Sequence, residues 1–253
     1  MIGYSLYGRG DTQAIVLHGW FGDWTVFEPM LPSIDEERLT LAFVDYRGYG
    51  KSKAIDGPFD MATIASDAVA LADHLGWERF HLIGHSMGGK AALRVAVDHP
   101  NRVDRIIAVT PVWAGKVPFD EATAAVFKGA IDEPALREAI LRDTTGGRLP
   151  QAWSRHLAAH SLSTSTRRAF GSYLESWTGE DFAAEATGLP HPTLVVVGAH
   201  DRGVTVDATK ATWLASLPNA TLQVVGEAGH YPMLETPPQM AALFESFLTG
   251  QSA

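Results

Sequence analysis

Short apolar runs that end at glycine or a polar residue recur along the chain. Ala14-Ile15-Val16-Leu17-His18-Gly19, Leu39 to Asp45 and Phe80-His81-Leu82-Ile83-Gly84 have strand length and little polar alternation, the pattern of strands buried on both faces. Val103 to Val109, Thr193 to Val197 and Thr221 to Val225 repeat it. Between these runs the apolar period changes. Ile64, Ala65, Ala68, Leu71, Ala72 and Leu75 recur at helical spacing and predict a helix from Met61 to Leu75, stopped by Gly76. Further helices are predicted from about Gly89 to Asp98, from Asp207 to Leu217, and from Pro238 to Leu248, where proline at the start is harmless because its missing N–H needs no partner.

Strands that alternate with helices in this way predict an α/β protein whose central sheet is mostly parallel and flanked by helices. The alternation breaks at residues 112–189, which show helical stretches and no strand. This segment reads as a helical cap inserted into a core domain formed by residues 1–111 and 190–253. Its aromatics include Trp113, Phe119, Phe127, Trp153, Phe170, Tyr173 and Trp177. Most are expected to build the cap's own core, and some must line a pocket if the cap covers a site.

Composition narrows the class of protein. The 253 residues are 46% apolar and 19% charged, so a full core can form and disorder is excluded. The formal net charge is -9, and no basic cluster exceeds Arg167-Arg168. Nucleic acid and anionic membrane surfaces are therefore poor partners. There is no cysteine, which removes disulfides and thiolate metal sites. The beginning, Met1-Ile2-Gly3-Tyr4-Ser5, lacks a secretory pattern. No apolar run approaches the roughly 18 residues of a membrane span. The expectation is a cytoplasmic protein that acts on a small molecule.

Gly84-His85-Ser86-Met87-Gly88 matches G-x-S-x-G, with a buried strand before it and a helix after it. At that junction a serine sits on a sharp turn, so the residues two before and two after must be small, as Gly84 and Gly88 are. The turn lifts the Ser86 hydroxyl above the sheet, and the next helix aims its positive end at any charge formed there. The plainer alternative is a glycine-rich turn with a bystander serine.

A serine hydroxyl is a weak nucleophile and needs a base within hydrogen-bond reach. Among ten histidines, His230 in Gly229-His230-Tyr231-Pro232 is best placed, between the last predicted strand and the last helix. His18 reads as a hydrogen-bonded structural residue, and His85 is expected to point away from the nucleophile and pack. His81, His99, His156, His160 and His191 have no supporting context. The base needs a carboxylate to fix its tautomer. Asp201 follows Val195-Val196-Val197-Gly198-Ala199-His200, at the C-terminal end of a buried strand, where open α/β sheets place functional residues. Its alternative is a turn or capping role. The other strand end that could carry the acid, after Val109, is followed by Thr110-Pro111. An oxyanion hole would use the backbone N–H of Met87 and one from the loop after His18-Gly19, for which Trp20 is chosen.

Leu17-His18-Gly19-Trp20, Asp45 to Ser52, Gly84 to Gly89, Gly198-Ala199-His200-Asp201 and Gly229-His230-Tyr231-Pro232 follow one another in the chain. In that order they resemble the α/β-hydrolase family, in its small capped bacterial esterase branch, over essentially the whole chain. The resemblance implies the α/β-hydrolase fold and a serine carboxylic-ester hydrolase that works through an acyl-enzyme. Ser86 would be the nucleophile, His230 the base and Asp201 its partner, with no metal and no cofactor. Asp45 to Ser52 would be a strand end and turn with a structural role. The size and aromatic content of the cap point to a small to medium apolar ester or a lactone.

Relatives on the same scaffold define the rivals. Haloalkane dehalogenases and epoxide hydrolases use an aspartate nucleophile, which Ser86 excludes. Carbon–carbon bond hydrolases of ring-cleavage pathways commonly carry Asn where His85 stands. Perhydrolase-like relatives share the His-Gly-Trp segment, which implies peroxyacid formation as a side activity. In cofactor-free dioxygenases a His/Asp dyad suffices, and hydroxynitrile lyases share the scaffold too. A binding protein that kept the fold for its pocket would not need all three polar residues. A histidine base near its ordinary value of about 6.5 implies activity that rises through neutrality.

Overall fold

The computed structural model describes residues 1–250. The last three residues of the segment 190–253 lie outside the described residues. The strands are β1 (Tyr4–Gly8), β2 (Thr12–Leu17), β3 (Leu39–Val44), β4 (Phe80–His85), β5 (Val103–Val109), β6 (Thr193–Gly198) and β7 (Ala220–Val225). The helices are α1 (Met61–His74), α2 (Met87–Asp98), α3 (Glu121–Gly129), α4 (Pro134–Thr144), α5 (Gln151–Thr164), α6 (Arg167–Gly179), α7 (Ala183–Ala186), α8 (Val206–Thr209), α9 (Pro232–Glu235) and α10 (Pro237–Thr249).

The strands form one sheet in the order β1-β3-β2-β4-β5-β6-β7. All pairings are parallel except β1 with β3. The apolar runs explain this arrangement. All six residues of β6 are buried, as are the last four of β2, β3, β4 and β5. Such strands need cover on both faces, and helices flank the sheet: α1 packs on α2, and α10 packs on a 3-10 segment, Trp24–Ser33.

From β2 the chain crosses to β3 on one side, and from β4 it crosses to β5 on the other, although β2 and β4 are neighbours. Their C-terminal loops therefore diverge and leave a crevice at this switch point. The register sets Leu17 opposite Gly84, so the loop beginning at His18 and the turn at Ser86 stand side by side.

Several elements differ from the sequence reading. β1 was not expected. It is an edge strand with no buried residue, paired antiparallel with β3. Trp24–Ser33 carries Pro29 and Pro32 and has no helical apolar period to announce it. Helix α2 begins at Met87, two residues before the expected start. The helix expected over Asp207 to Leu217 is α8 followed by a five-residue π turn, Lys210–Leu214. Residues 112–189, between β5 and β6, hold α3 to α7 and no strand.

Candidate active site

Strand β4 ends at His85, and α2 starts at Met87. Ser86 bridges them with φ 53 and ψ -116, a left-handed backbone outside the comfortable range of L residues. Surrounding contacts hold this conformation. The Ser86 N–H donates to the Val109 carbonyl at 2.9 Å, and the Ser86 carbonyl accepts from Val112 at 3.0 Å. A Cβ on Gly84 would lie 2.3 Å from the Gly88 carbonyl oxygen, and one on Gly88 would lie 2.3 Å from the Leu17 carbonyl oxygen. Both positions need glycine because backbone meets backbone there.

Strand β6 ends one turn before Asp201, and the loop after β7 carries His230. The His230 Nδ1–H donates to Asp201 Oδ2 at 2.6 Å. A carboxylate only accepts, so this bond fixes the tautomer and leaves the Nε2 lone pair free. Nε2 lies 3.0 Å from Ser86 Oγ, whose hydroxyl can donate to it. The second oxygen of Asp201 accepts the N–H groups of Gly203 and Val204 at 2.8 and 2.9 Å. Ser86, His230 and Asp201, proposed from three separate stretches of chain, thus form one hydrogen-bonded line. The backbone N–H of Met87 opens α2 and that of Trp20 follows Gly19; among the described residues neither meets an acceptor.

The loop of Trp20 is clamped from below. Tyr46 Oη–H donates to the His18 carbonyl at 2.8 Å, and Tyr49 Oη–H donates to the Trp20 carbonyl at 2.9 Å. The segment Asp45 to Ser52 thus reaches the loop that carries the candidate oxyanion N–H. His18 is fully buried, touches the Gly19 carbonyl at 2.8 Å and packs its ring tilted against Tyr46, as a structural residue should. His85 does more than pack. Burial, reinforced by the neighbouring His230, pushes its pKa well below the ordinary value. The neutral ring donates from Nε2 to the His230 carbonyl at 2.8 Å, and Thr110 Oγ1–H donates to the same oxygen at 3.0 Å.

Ser86 and His230 open on a cavity of about 240 Å³. Trp113, Phe119, Phe127, Ile140 and Trp177 of the insertion line it, with Trp20 and Phe21 from the core. The other aromatics of the insertion are structural. Phe170 stacks on Trp20 at 4.0 Å, Tyr173 packs among Tyr46, Tyr49 and Phe59, and Trp153 meets the Tyr231 ring edge at 5.6 Å. The π turn after α8 contributes Thr212 to the wall, consistent with such turns occurring at functional sites.

Sequence reasoning missed a second histidine–carboxylate pair. His160 Nε2 lies 2.9 Å from Asp23 Oδ1 and joins α5 to the loop that follows Trp20. Burial alone would raise Asp23, but hydrogen bonds from His160 and Thr25 bring it down to about 2. The same bond raises His160. No local pattern marks a pair 137 residues apart. Lys90 was also missed. It is fully buried, and its ammonium donates to the carbonyls of Gly115, Trp177 and Glu180 at 2.9, 3.0 and 2.6 Å. Burial lowers it to about 8, with Glu180 and Asp181 pulling the other way. Among the described residues no group of three His, Asp or Glu side chains could hold a metal ion, and no helix is long and apolar enough to cross a membrane.

A mostly parallel sheet with a serine at the strand–helix turn of β4, an acid after β6 and a histidine after β7 defines an α/β-hydrolase. The family model for the alpha/beta hydrolase fold matches residues 15–237, and the chain belongs to that family. RutD of Caulobacter sp. (strain K31), named for carbamate hydrolysis, is 28% identical over 256 residues, which cover 96% of this chain and 93% of that protein. A 2-hydroxymuconate semialdehyde hydrolase of Pseudomonas putida is 30% identical over 224 residues, covering 83% and 76%. Among solved structures, an esterase from Exiguobacterium antarcticum superposes with TM-score 0.86 at 22% identity, covering 98% and 95%, a likeness of fold.

Proposed function

We propose that this chain is a serine carboxylic-ester hydrolase, with residues 112–189 as a cap over the site. The observation that carries the reading is the line from Asp201 through His230 to Ser86, with bonds of 2.6 and 3.0 Å, at the floor of an apolar cavity. His230 takes the Ser86 proton as Oγ attacks the ester carbonyl, and Asp201 stabilises the imidazolium without becoming protonated. The oxyanion sits between the N–H groups of Trp20 and Met87, at the positive end of α2. His230 then protonates the leaving alcohol. A water enters, gives a proton to His230 as its oxygen attacks the acyl carbon, and the acid leaves as the bond to Ser86 Oγ breaks and His230 returns the proton to Oγ.

The cavity, at about 240 Å³, falls below the roughly 300–1,000 Å³ of most small-molecule sites. That size favours short acyl chains or compact lactones. A second reading, hydrolysis of a ring-cleavage product, is favoured by the likeness to the 2-hydroxymuconate semialdehyde hydrolase. The test is hydrolysis of p-nitrophenyl esters from acetate to decanoate by the wild type and Ser86→Ala. The ester reading expects turnover, greatest at the short end, that vanishes in the variant. Silence toward every ester and lactone, with turnover of a ring-cleavage dienoate, would support the second reading instead.

A further inference from the structure

Both backbone polar groups of His230 are tied down. Its carbonyl takes the bonds from His85 and Thr110, and its N–H donates to the Thr144 carbonyl at the end of α4, 3.2 Å away. The N–H groups on either side converge on a single carboxylate. Glu235, at the end of α9, accepts from Gly229 at 2.9 and 3.0 Å and from Tyr231 at 3.0 Å. Its side chain is 1% exposed, and its counter-ion comes from the insertion: Arg148 Nη1 lies 2.8 Å from Glu235 Oε2. Arg148 Nη2 also donates to the Glu227 carbonyl at 2.5 Å, at the start of the same loop.

We infer that Glu235, paired with Arg148, is a positioning residue that fixes the His230 imidazole between Asp201 and Ser86. The inference rests on the reading of His230 as the base. Glu235 makes no bond to Ser86 and does not itself line the cavity, so it acts only through the peptide bonds it holds. Three donors converge on it, and only a carboxylate can accept from all of them. An amide there has one acceptor oxygen and must turn its NH2 toward a donor. A displacement of about 1 Å at a reacting group can cost on the order of 100-fold in rate. Because Arg148 and Thr144 belong to the insertion, that segment also holds the base and does more than shape the cavity.

The test compares wild type, Glu235→Gln, Arg148→Met and the double variant in two assays. The first is the rate of Ser86 labelling by a fluorophosphonate, with the site identified by mass spectrometry. In that reaction Ser86 Oγ bonds to phosphorus, fluoride leaves, and His230 takes the proton. The second is ester hydrolysis, resolved into kcat and KM. Glu235→Gln should label about 10- to 100-fold more slowly and lose kcat by a similar factor, with KM within about twofold. Arg148→Met should lose a few-fold. The double variant should recover part of the Glu235→Gln loss, because the amide NH2 no longer faces a guanidinium. A wild-type labelling rate in Glu235→Gln, or a loss carried by KM, would overturn the inference. Should Glu235→Gln not fold, an unaltered rate in Arg148→Met would overturn it equally. A wild type that is not labelled at Ser86 would remove the serine-hydrolase reading and this inference with it.

Discussion

The indole N–H of Trp20 donates to the carbonyl of Phe170 at 2.7 Å, joining two residues 150 positions apart in the chain. The same two side chains stack at 4.0 Å, and the Arg137 guanidinium lies 3.6 Å from the Phe170 ring on α6. In the proposed mechanism the Trp20 backbone N–H would face the oxyanion, and its ring ties that loop to Phe170 of α6.

Replacing Trp20 with Phe keeps an aromatic ring in the stack but removes the indole donor. The Phe170 carbonyl lies within α6 and keeps its place in the helix, so the loss is that of one buried hydrogen bond, about 0.5–1.5 kcal/mol. Denaturant unfolding should show that loss, and kcat/KM should fall with it. An unchanged unfolding midpoint would show that the bond does not hold the cap.

The pair of Asp23 and His160 should make cap attachment depend on pH. His160 is raised above 6.5, so its share of the stability is complete below that value and is lost as pH rises through its folded value. Asp23 is lowered to about 2 from 3.8, so its share is present above 3.8 and is lost as pH falls through about 2. The two statements describe one pair, charged on both sides between these limits. The stability difference between wild type and His160→Gln should be largest near pH 5 and shrink steadily above pH 7. A difference that stays flat from pH 5 to 9 would remove the ion pair from the account.

Lys90 ties the start of the insertion, at Gly115, and its end, at Trp177 and Glu180, to α2, the helix that begins after Ser86. Lys90→Met strands those three carbonyls, at about 1–3 kcal/mol for each that finds no new partner, offset in part because no charge is buried. We expect a lower melting temperature and faster proteolysis within residues 112–189. Equal proteolysis of the two proteins would count against a latch.

Gly84→Ala places a methyl 2.3 Å from the Gly88 carbonyl oxygen, beside the turn at Ser86. Neither chain segment can yield without moving Ser86. Overpacking of this kind costs about 1–3 kcal/mol or more, and the displaced hydroxyl should leave less than about one hundredth of the activity. Activity near wild type in a folded Gly84→Ala protein would mean that the turn is looser than its geometry states.

The parallel strands and the helices between them are legible in the chain because burial on both faces writes an unbroken apolar run, and burial on one face writes a helical period. The same local logic exposes Ser86 between its two glycines, and it marks Asp201 and His230 as polar residues just beyond strands. Edge strand β1 escapes it because none of its residues is fully buried, so no unbroken apolar run is needed there. Tertiary structure alone decides which aromatics of the insertion face the cavity and which stack inside it: Trp113 and Phe119 precede α3, yet they line the cavity beside Phe127 of α3 and Trp177 of α6. It also decides that His160 meets Asp23, that Lys90 bridges both ends of the insertion, and that Glu235 gathers the N–H groups beside His230. Those contacts depend on how separate elements dock, and pairing across space leaves no period in the sequence of either partner.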